Sequence, residues 1–232
     1  MTSQNLNEID MNFLKTDELS LIMGTLLGDG HMNKRGESYR LKMTHGIDQK
    51  EYVLWKHKKL ERLCQTTQPP KEATDEKGYT TVTFYTSSTV KYKPIHELFY
   101  KIQGGKDKSG QVTKKSVKVI TKELIDNLPT DPITLATWFM DDGSVRDDCY
   151  AGKIATQGFS KNESHLLCEY LARCGILGAK VVAHVKSKDQ YYISLPATGD
   201  TFAKFVDYIE PVVQEIPSMV YKLNKARKSK TP

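Results

Sequence analysis

Two aspartates in this chain each follow an apolar stretch and precede a glycine. Asp29 lies near the end of residues 18–30, ELSLIMGTLLGDG, and Asp142 near the end of residues 133–143, ITLATWFMDDG. Two carboxylates brought together can hold divalent metal ions against phosphate oxygens, which is what phosphodiester hydrolysis requires. A single Asp-Gly after an apolar run is more often a simple turn at a helix end, so the functional interpretation depends on there being two.

The two apolar stretches predict helices of the same design. Asp17 is a candidate N-cap for the first, and Asp131, followed by Pro132, for the second. Gly30 and Gly143 are expected to end the helices in the left-handed conformation.

The sequence that follows each aspartate also repeats. Thr44 and Thr156 lie 156 − 44 = 112 residues apart, and the two aspartates 142 − 29 = 113 apart, so two copies keep one register. Each copy has the pattern αββαββα, which predicts an α+β fold of two pseudo-symmetric units with antiparallel sheets. We expect a first unit at 17–103, a basic linker at 104–120, a second unit at 121–224 and a basic tail at 225–232.

Periodicity predicts the remaining elements of each copy. Helices are expected at 48–64, 93–102, 161–174 and 201–209, with strand pairs at 71–75 and 79–87 and at 180–186 and 191–195. Two similar units imply a pseudo-twofold axis, with the two apolar helices in contact across it. Gly24 and Gly28 would let the other helix approach closely, so Asp29 and Asp142 would lie side by side.

Composition and charge restrict the kind of protein. Of 232 residues, 38% are hydrophobic and 27% charged, which is typical of a globular protein. No apolar run approaches the roughly 20 residues of a membrane span, and the N-terminus resembles neither a secretory signal nor a transit peptide. The cysteines form no C-x-x-C pair, which predicts reduced, mostly buried thiols in an intracellular compartment rather than a zinc site; they are Cys64, Cys149, Cys168 and Cys174.

Positive charge is concentrated in two segments. The net charge is +6, seven lysines and one aspartate lie between 101 and 122, and five basic residues with no acid follow from 222 onward. This distribution indicates a polyanionic partner, although many basic proteins have none.

Residues 22–30, IMGTLLGDG, and 135–143, LATWFMDDG, resemble the two motifs of the LAGLIDADG homing endonucleases. The resemblance covers nearly the whole chain and is strongest to the single-chain, intron-encoded type. It implies a saddle of two sheets over DNA, with the motif helices at the interface between the units. It also implies a monomer that hydrolyses both strands of double-stranded DNA at a long specific site, using Mg²⁺ or Mn²⁺. The location would be a bacterial or archaeal cytoplasm, or a chloroplast or mitochondrion if organelle-encoded.

The resemblance also assigns candidate roles at the centre. Asp29 and Asp142 would be the catalytic acids and metal ligands, together with the main-chain carbonyls of Gly28 and Asp141, which lie at the negative ends of the helix dipoles. Family members carry a lysine of each half near the site, and Gln157 is a further candidate for the water network. The matching lysines are Lys118 and Lys222, although Lys118 could equally be a solvated lysine among several.

The second motif departs from the family pattern at two positions. Thr137 replaces a small glycine and Asp141 replaces a small residue before the acid. Both would lie at the tight helix contact, so the two halves are expected to pack asymmetrically.

Strands with alternating polar residues predict a surface that reads base edges in the major groove. Any one of these strands could instead be an ordinary solvated sheet face. The candidate DNA-binding residues are Ser38, Arg40, Lys42, Thr44, Tyr79, Thr81, Thr83 and Tyr85 in the first unit, and Arg146, Tyr150, Lys153, His184, Lys186, Gln190, Tyr192 and Ser194 in the second.

Two other functions remain open. An intron maturase on the same fold would bind RNA, its own intron being the candidate partner, and would not need both acids. A DNA-binding regulator could keep the fold and lose catalysis. The presence of both aspartates favours cleavage.

Overall fold

Helices and antiparallel strands alternate in an order that occurs twice. The computed structural model describes residues 13–64, 69–106, 111–184 and 189–224. The helices are α1 (Thr16–Leu27), α2 (Lys50–Lys59), α3 (Lys93–Phe99), α4 (Lys122–Asn127), α5 (Pro132–Asp142), α6 (Lys161–Arg173) and α7 (Thr201–Val213). The strands are β1 (His31–Arg35), β2 (Ser38–Gly46), β3 (Lys71–Thr74), β4 (Thr80–Tyr85), β5 (Tyr100–Lys106), β6 (Val112–Lys118), β7 (Gly143–Val145), β8 (Gly152–Ala155), β9 (Lys180–Ala183) and β10 (Tyr191–Leu195).

The two large sheets have the same topology. Their strand orders are β1-β2-β4-β3 and β7-β8-β10-β9, and every described pairing is antiparallel. Apolar residues of the inner strands, such as Leu41 and Ile193, are buried, while their neighbours along the strand are more accessible. The α+β fold with two pseudo-symmetric αββαββα units is therefore confirmed.

Helices α1 and α5 form the contact between the units. A Cβ atom on Gly24 would lie 2.5 Å from the carbonyl oxygen of Thr134, so only glycine permits this approach. The Ser20 hydroxyl donates to Asp131 Oδ2 at 2.5 Å, and Thr134 Oγ1 donates to the Ser20 carbonyl at 3.3 Å. The expected interface of the two apolar helices is confirmed.

The helix ends differ in part from the prediction. Asp131 caps α5 through the N–H groups of Ile133 and Thr134, as expected. Asp17, however, lies inside the first turn of α1, because the helix begins at Thr16 with Lys15 as its N-cap residue, and the Glu18 carboxylate accepts the Lys15 N–H at 2.8 Å.

Neither glycine after the aspartates is left-handed. Gly143 has φ −85°, and Gly30 is not among the residues with positive φ. Close packing, and not a left-handed backbone, requires glycine at both positions. A Cβ atom would lie 2.1 Å from the Phe139 ring at Gly143 and 2.4 Å from Thr25 Cγ2 at Gly30.

The segment around the expected linker forms a β-hairpin. The predicted helix over 93–102 ends at Phe99, because Tyr100 is extended (φ −124°, ψ 131°) and pairs with Lys118. The Tyr100 hydroxyl accepts a hydrogen bond from the N–H of Met32 at 3.1 Å. Strand β5 therefore extends across the boundary expected at 103/104, and β6 lies within the expected linker.

Residues 146–151 form a loop, although Arg146 and Tyr150 were expected to lie on a strand. Arg146 N–H donates to the Ala151 carbonyl and Ala151 N–H to the Cys149 carbonyl, so the backbone bonds locally instead of to a neighbouring strand. All four cysteines are free, but the expectation of mostly buried thiols is wrong, because only Cys174 is buried while Cys64 and Cys168 are partly accessible and Cys149 is exposed. Within the described ranges, no helix combines the length and the apolar character needed to cross a bilayer.

Candidate active centre and DNA-reading surface

The two catalytic candidates lie at neighbouring helix ends. At the C-terminal ends of α1 and α5, a Cβ atom on Gly28 would lie 2.5 Å from Asp141 Cβ. The N–H of Asp29 donates to Asp141 Oδ2 at 3.1 Å across this contact. Asp142 follows Asp141 directly, so the crossing of the two helices brings both acids to one place.

Lys118 and Lys222 occupy corresponding positions beside the acids. Lys118 Nζ donates to the carbonyls of Gly28 and Gly30 at 2.8 and 3.1 Å, and Lys222 Nζ donates to the carbonyl of Gly143 at 2.6 Å. Gly30 and Gly143 are 143 − 30 = 113 residues apart, which is the spacing of the repeat. The pseudo-symmetry therefore holds for the lysines, although one comes from β6 and the other from the turn at Pro217–Lys222.

Burial and repulsion between the neighbouring carboxylates disfavour negative charge at this centre. Burial raises the pKa of Asp142 to about 7, and the neighbouring Asp141 and Asp29 contribute to the increase. The pKa of Asp29 is raised by the same causes, burial first and Asp141 second. Burial lowers the pKa values of Lys118 and Lys222, against the attraction of the carboxylates. A cation bound between the acids would relieve the repulsion.

Asp141 belongs to a buried network that the sequence analysis missed. Its Oδ1 accepts the Tyr52 hydroxyl at 2.8 Å and Lys56 Nζ at 2.9 Å. Lys56 is fully buried and its Nζ lies 3.2 Å from His45 Nε2. Burial lowers the pKa of Lys56, while Asp141 acts against that shift. The first unit thus supplies the cation that compensates a carboxylate of the second unit.

The corresponding positions of the repeat carry no charge. The counterpart of Asp141 is Gly28, and the counterparts of the three network residues, 112 positions further along, are Gln157, Ser164 and Cys168. The asymmetric packing expected from Asp141 is therefore present: one buried acid faces one buried lysine, on one side of the axis only.

His45 and two aspartates also have the spacing of a metal site. Ligand atoms of Asp29, His45 and Asp141 lie within 4.8 Å of one another. The ammonium of Lys56 already lies 2.9 Å from Asp141 Oδ1 and 3.2 Å from His45 Nε2, so a second cation among these three groups would be repelled. Burial also lowers the pKa of His45 to about 4, with Lys56 the next cause. The carboxylates of Asp29 and Asp142 are better donors for a metal, and their oxygen chemistry suits Mg²⁺.

A sequence signal for the network exists. Tyr52 and Lys56 are four residues apart, which places them on one face of α2, and Val53 and Leu60 make this face apolar. The signal was hidden because Lys56 lies among several other lysines, and charge runs usually mark solvated helix faces.

The outer face of the first sheet follows the predicted alternation. Along β2, even-numbered positions from Ser38 to Thr44 are partly accessible while the odd-numbered ones are buried. Thr44 Oγ1 and Thr83 Oγ1 bond at 2.8 Å, and the Arg40 guanidinium lies 4.0 Å from the centre of the Tyr85 ring. Lys42, Thr81 and Thr83 are partly accessible, Tyr85 is exposed, and Tyr79 is 62% exposed just before β4.

The second sheet forms the wall of a groove that ends at a candidate catalytic acid. The groove has a volume of about 820 Å³. Its lining includes Asp142, Lys153, Gln157, His184, Tyr192 and Ser194. Gln190 is exposed beside it, and Lys186 lies outside the described residues.

Tyr150 does not lie on this surface. It is only 6% exposed, and its ring packs edge-on against Phe202 with the centroids 5.0 Å apart. Because 146–151 is a loop, strand alternation does not apply there. Arg146 remains accessible, but its guanidinium is held by Asp148 at 2.6 Å.

Pairing adds three residues of β1 that the sequence analysis omitted. His31 pairs with Lys42, Asn33 with Arg40 and Arg35 with Ser38. Directly paired residues share a sheet face, so the accessible face of the first sheet extends over β1.

A sequence profile described as the LAGLIDADG DNA endonuclease family matches residues 19–205. The chain belongs to this family. The match includes both motif helices and ends within α7, so the LAGLIDADG assignment covers both units.

Two curated proteins and one solved structure show its relatives. The chain is 30% identical over 231 residues to the cytochrome b mRNA maturase bI2 of Saccharomyces cerevisiae, spanning 95% of this chain but only 49% of that protein. It is 33% identical over 140 residues to the probable intron-encoded DNA endonuclease 3 of Mycosarcoma maydis, covering 60% of this chain and 90% of the relative. The homing endonuclease I-WcaI bound to its DNA recognition sequence has the same fold, with a TM-score of 0.67 at 21% identity over 90% of this chain and 87% of that one.

Proposed function

We propose that this LAGLIDADG protein is a site-specific endonuclease that hydrolyses both strands of double-stranded DNA. The observation that carries the proposal is the meeting of Asp29 and Asp142 at the crossing of α1 and α5, with a lysine on each side. One acid for each half matches one scissile bond for each DNA strand.

A divalent cation, Mg²⁺ or Mn²⁺, fits this centre. Asp29 and Asp142 would hold it, since both are raised in pKa by burial and by negative neighbours. When bound, it would neutralise phosphate charge and make a water molecule more acidic. The Asp141 carboxylate is taken by Tyr52, Lys56 and the Asp29 N–H, so its main-chain carbonyl would be the further ligand from this residue. The Gly28 carbonyl accepts one bond from Lys118, and its second lone pair would be the ligand from the first unit.

The neighbouring polar residues would bind and orient the substrate. Lys118 and Lys222 place one ammonium on each side of the acids, where they can stabilise charge on a phosphate oxygen. Gln157 lines the groove next to Asp142 and can hold a water by hydrogen bonds. Strands of the accessible sheet faces would lie in the major groove, which admits a β-ribbon.

The test is removal of each acid separately. Asp29→Asn and Asp142→Asn should each lower double-strand cleavage at least 100-fold while leaving the affinity for the same duplex within about threefold, because a metal ligand is lost but phosphate contacts remain. Asp17→Asn, an exposed change in the first turn of α1, is the matched control. Cleavage at the wild-type rate by either active-centre variant would refute the proposed centre.

RNA maturation is the second candidate function. The alignment with the Saccharomyces cerevisiae maturase over 95% of this chain favours it. If the chain assists splicing, the Asp29→Asn/Asp142→Asn double variant should still bind the host intron RNA and accelerate its splicing. Absence of any effect of the wild-type protein on splicing would exclude this activity.

A further inference from the structure

The β5–β6 hairpin projects from the first unit with little support. It runs as seven residue pairs from Tyr100 opposite Lys118 to Lys106 opposite Val112. Its base packs on the body of the protein, where the Tyr100 hydroxyl accepts the Met32 N–H and the Tyr100 ring meets the His31 ring edge-on. Further out, Ile102 is 67% exposed.

Such a hairpin is marginally stable alone in water. The described side chains of 101–105 and 114–116 are exposed, so both faces of the ribbon are open to solvent. An open two-stranded ribbon also has unpaired edges that invite contact with another molecule. A ligand on this hairpin would therefore stabilise it as well as bind to it.

The base of the hairpin lies at the active centre. Lys118 Nζ donates to the carbonyls of Gly28 and Gly30. Side chains alternate along a strand, so Ser116 and Lys114 lie on the same face of β6 as Lys118. At about 3.3 Å per residue, Lys114 is roughly 13 Å further out along that strand. A ligand seated at the acids can therefore reach β6.

The two strands of the hairpin differ in their electrostatic surroundings. On β5, Lys101 and Ile102 border a hollow that also contains Glu97 and Glu123. On β6, Lys114 and Lys115 are exposed, and among the described residues neither forms an ion pair. The cationic side of the ribbon is therefore the β6 side, away from α3 and α4.

We propose that β6 is a phosphate-binding arm that extends the DNA contact outward from the active centre. The inference rests on the proposed function, because it takes double-stranded DNA as its ligand. Lys114 lies on the face of β6 that carries Lys118, and Lys115 lies on the opposite face, so a phosphate backbone along the open edge of β6 would meet both ammonium groups. Lys118 at the base would face the phosphates near the acids. An arm of this kind adds affinity without reading bases.

Salt dependence tests the arm. Replacing Lys114 and Lys115 by alanine should reduce the slope of log affinity against log salt by about 1.8, since each phosphate contact contributes about 0.9. Raising salt from 50 to 200 mM would then weaken binding roughly tenfold less than in the wild type. The matched control is Lys58→Ala/Lys161→Ala, which removes two exposed helix lysines.

A shortened target gives a second readout. On a duplex trimmed on the side of the arm, wild type and the β6 variant should have the same slope, while on the full target they differ. An unchanged slope in the β6 variant, or a change equal to that of the control, would overturn the arm while leaving cleavage intact. An effect on structured RNA but not on DNA would also overturn it. A wild-type chain that binds no duplex would refute the proposed function and the arm together.

Discussion

Three adjacent carboxylates determine the electrostatics of the centre. Asp141 is compensated by direct contact with the buried Lys56, whereas burial and the neighbouring carboxylate of Asp141 raise the pKa values of Asp29 and Asp142. The compensated acid lies at the contact between the two helices, and the other two acids are the proposed cation ligands. The same chemical group therefore has a structural role at one position and a candidate catalytic role at the next.

The raised pKa of Asp142 predicts a stability effect in the absence of metal. Its folded-state pKa of about 7 is above the ordinary value of 3.8, so between these pH values the folded state keeps a proton that the unfolded state has lost. The stability from this group is present at low pH and is lost as pH rises through 7. Asp142→Asn should remove the loss, so in EDTA its melting temperature should exceed that of the wild type at pH 8 but not at pH 5.

Thermal unfolding at the two pH values, with Asp17→Asn as the control, measures this difference. Equal pH dependence in wild type and Asp142→Asn would show that the carboxylate is ionised at no cost in the folded protein.

Loss of Lys56 should strongly destabilise the fold. Lys56→Met would leave the buried Asp141 without its cation, at a cost of about 3–5 kcal/mol in the free energy of unfolding. Lys58→Met, an exposed change on the same helix, should stay within about 0.5 kcal/mol of the wild type. Urea denaturation compares the two, and Lys56→Met/Asp141→Asn should recover part of the loss. If both single variants unfold alike, the ion pair does not stabilise the contact between the units.

Among the elements, the strands were predictable where one face is buried. In β2, four buried side chains alternate with the polar ones, and this period of two identifies both the strand and its accessible face. Arg40 lies on the accessible side of β2, with its guanidinium over the Tyr85 ring.

Arg40→Ala should therefore relax sequence specificity. If the guanidinium reads a guanine edge, its loss should cost about 1–3 kcal/mol at one position of the target. A cleavage profile over a randomised target measures the change, and Lys161→Ala, on α6, should leave every position as it was. A profile unchanged by Arg40→Ala would mean that the first sheet does not read bases there.

Elements that depend on distant partners were not predictable. The hairpin β5–β6 lacks a buried face, so no hydrophobic alternation marks it. Arg146 and Tyr150 were placed on a strand, but the backbone of 146–151 bonds locally and forms a loop. The glycines after the aspartates were predicted as left-handed, but it is Phe139 and Thr25 that exclude a side chain.

The two acids of the centre could be predicted from the sequence, but the hydrogen-bond partners around them could not. Asp29 and Asp142 are marked by the repeat within the sequence. The partners of Asp141 come from β2 and α2 of the other unit, at separations of 85 and 89 residues for the two bonds to its Oδ1, and no local pattern connects them. The same applies to Lys118, whose bonds span 88 and 90 residues.

For the whole molecule, both acids in one chain predict one protein per DNA duplex. Each unit supplies one carboxylate, so a single chain completes the centre and a second copy would add none. Sedimentation of the DNA complex at the concentration that supports cleavage should give a 1:1 mass. A 2:1 complex as the cleaving species would contradict the assignment of one scissile strand to each unit.

The one-sided pairing of Asp141 with Lys56 also limits how such halves can be recombined. A homodimer built from two first units would bury two lysines at positions where the partner offers only glycine. A homodimer of two second units would bring two Asp141 carboxylates together opposite Cys168, without a cation. A chimera that exchanges one half must therefore carry over the acid or the lysine that its new partner lacks, and the identity of residues 28, 56, 141 and 168 is a compatibility rule for choosing donors.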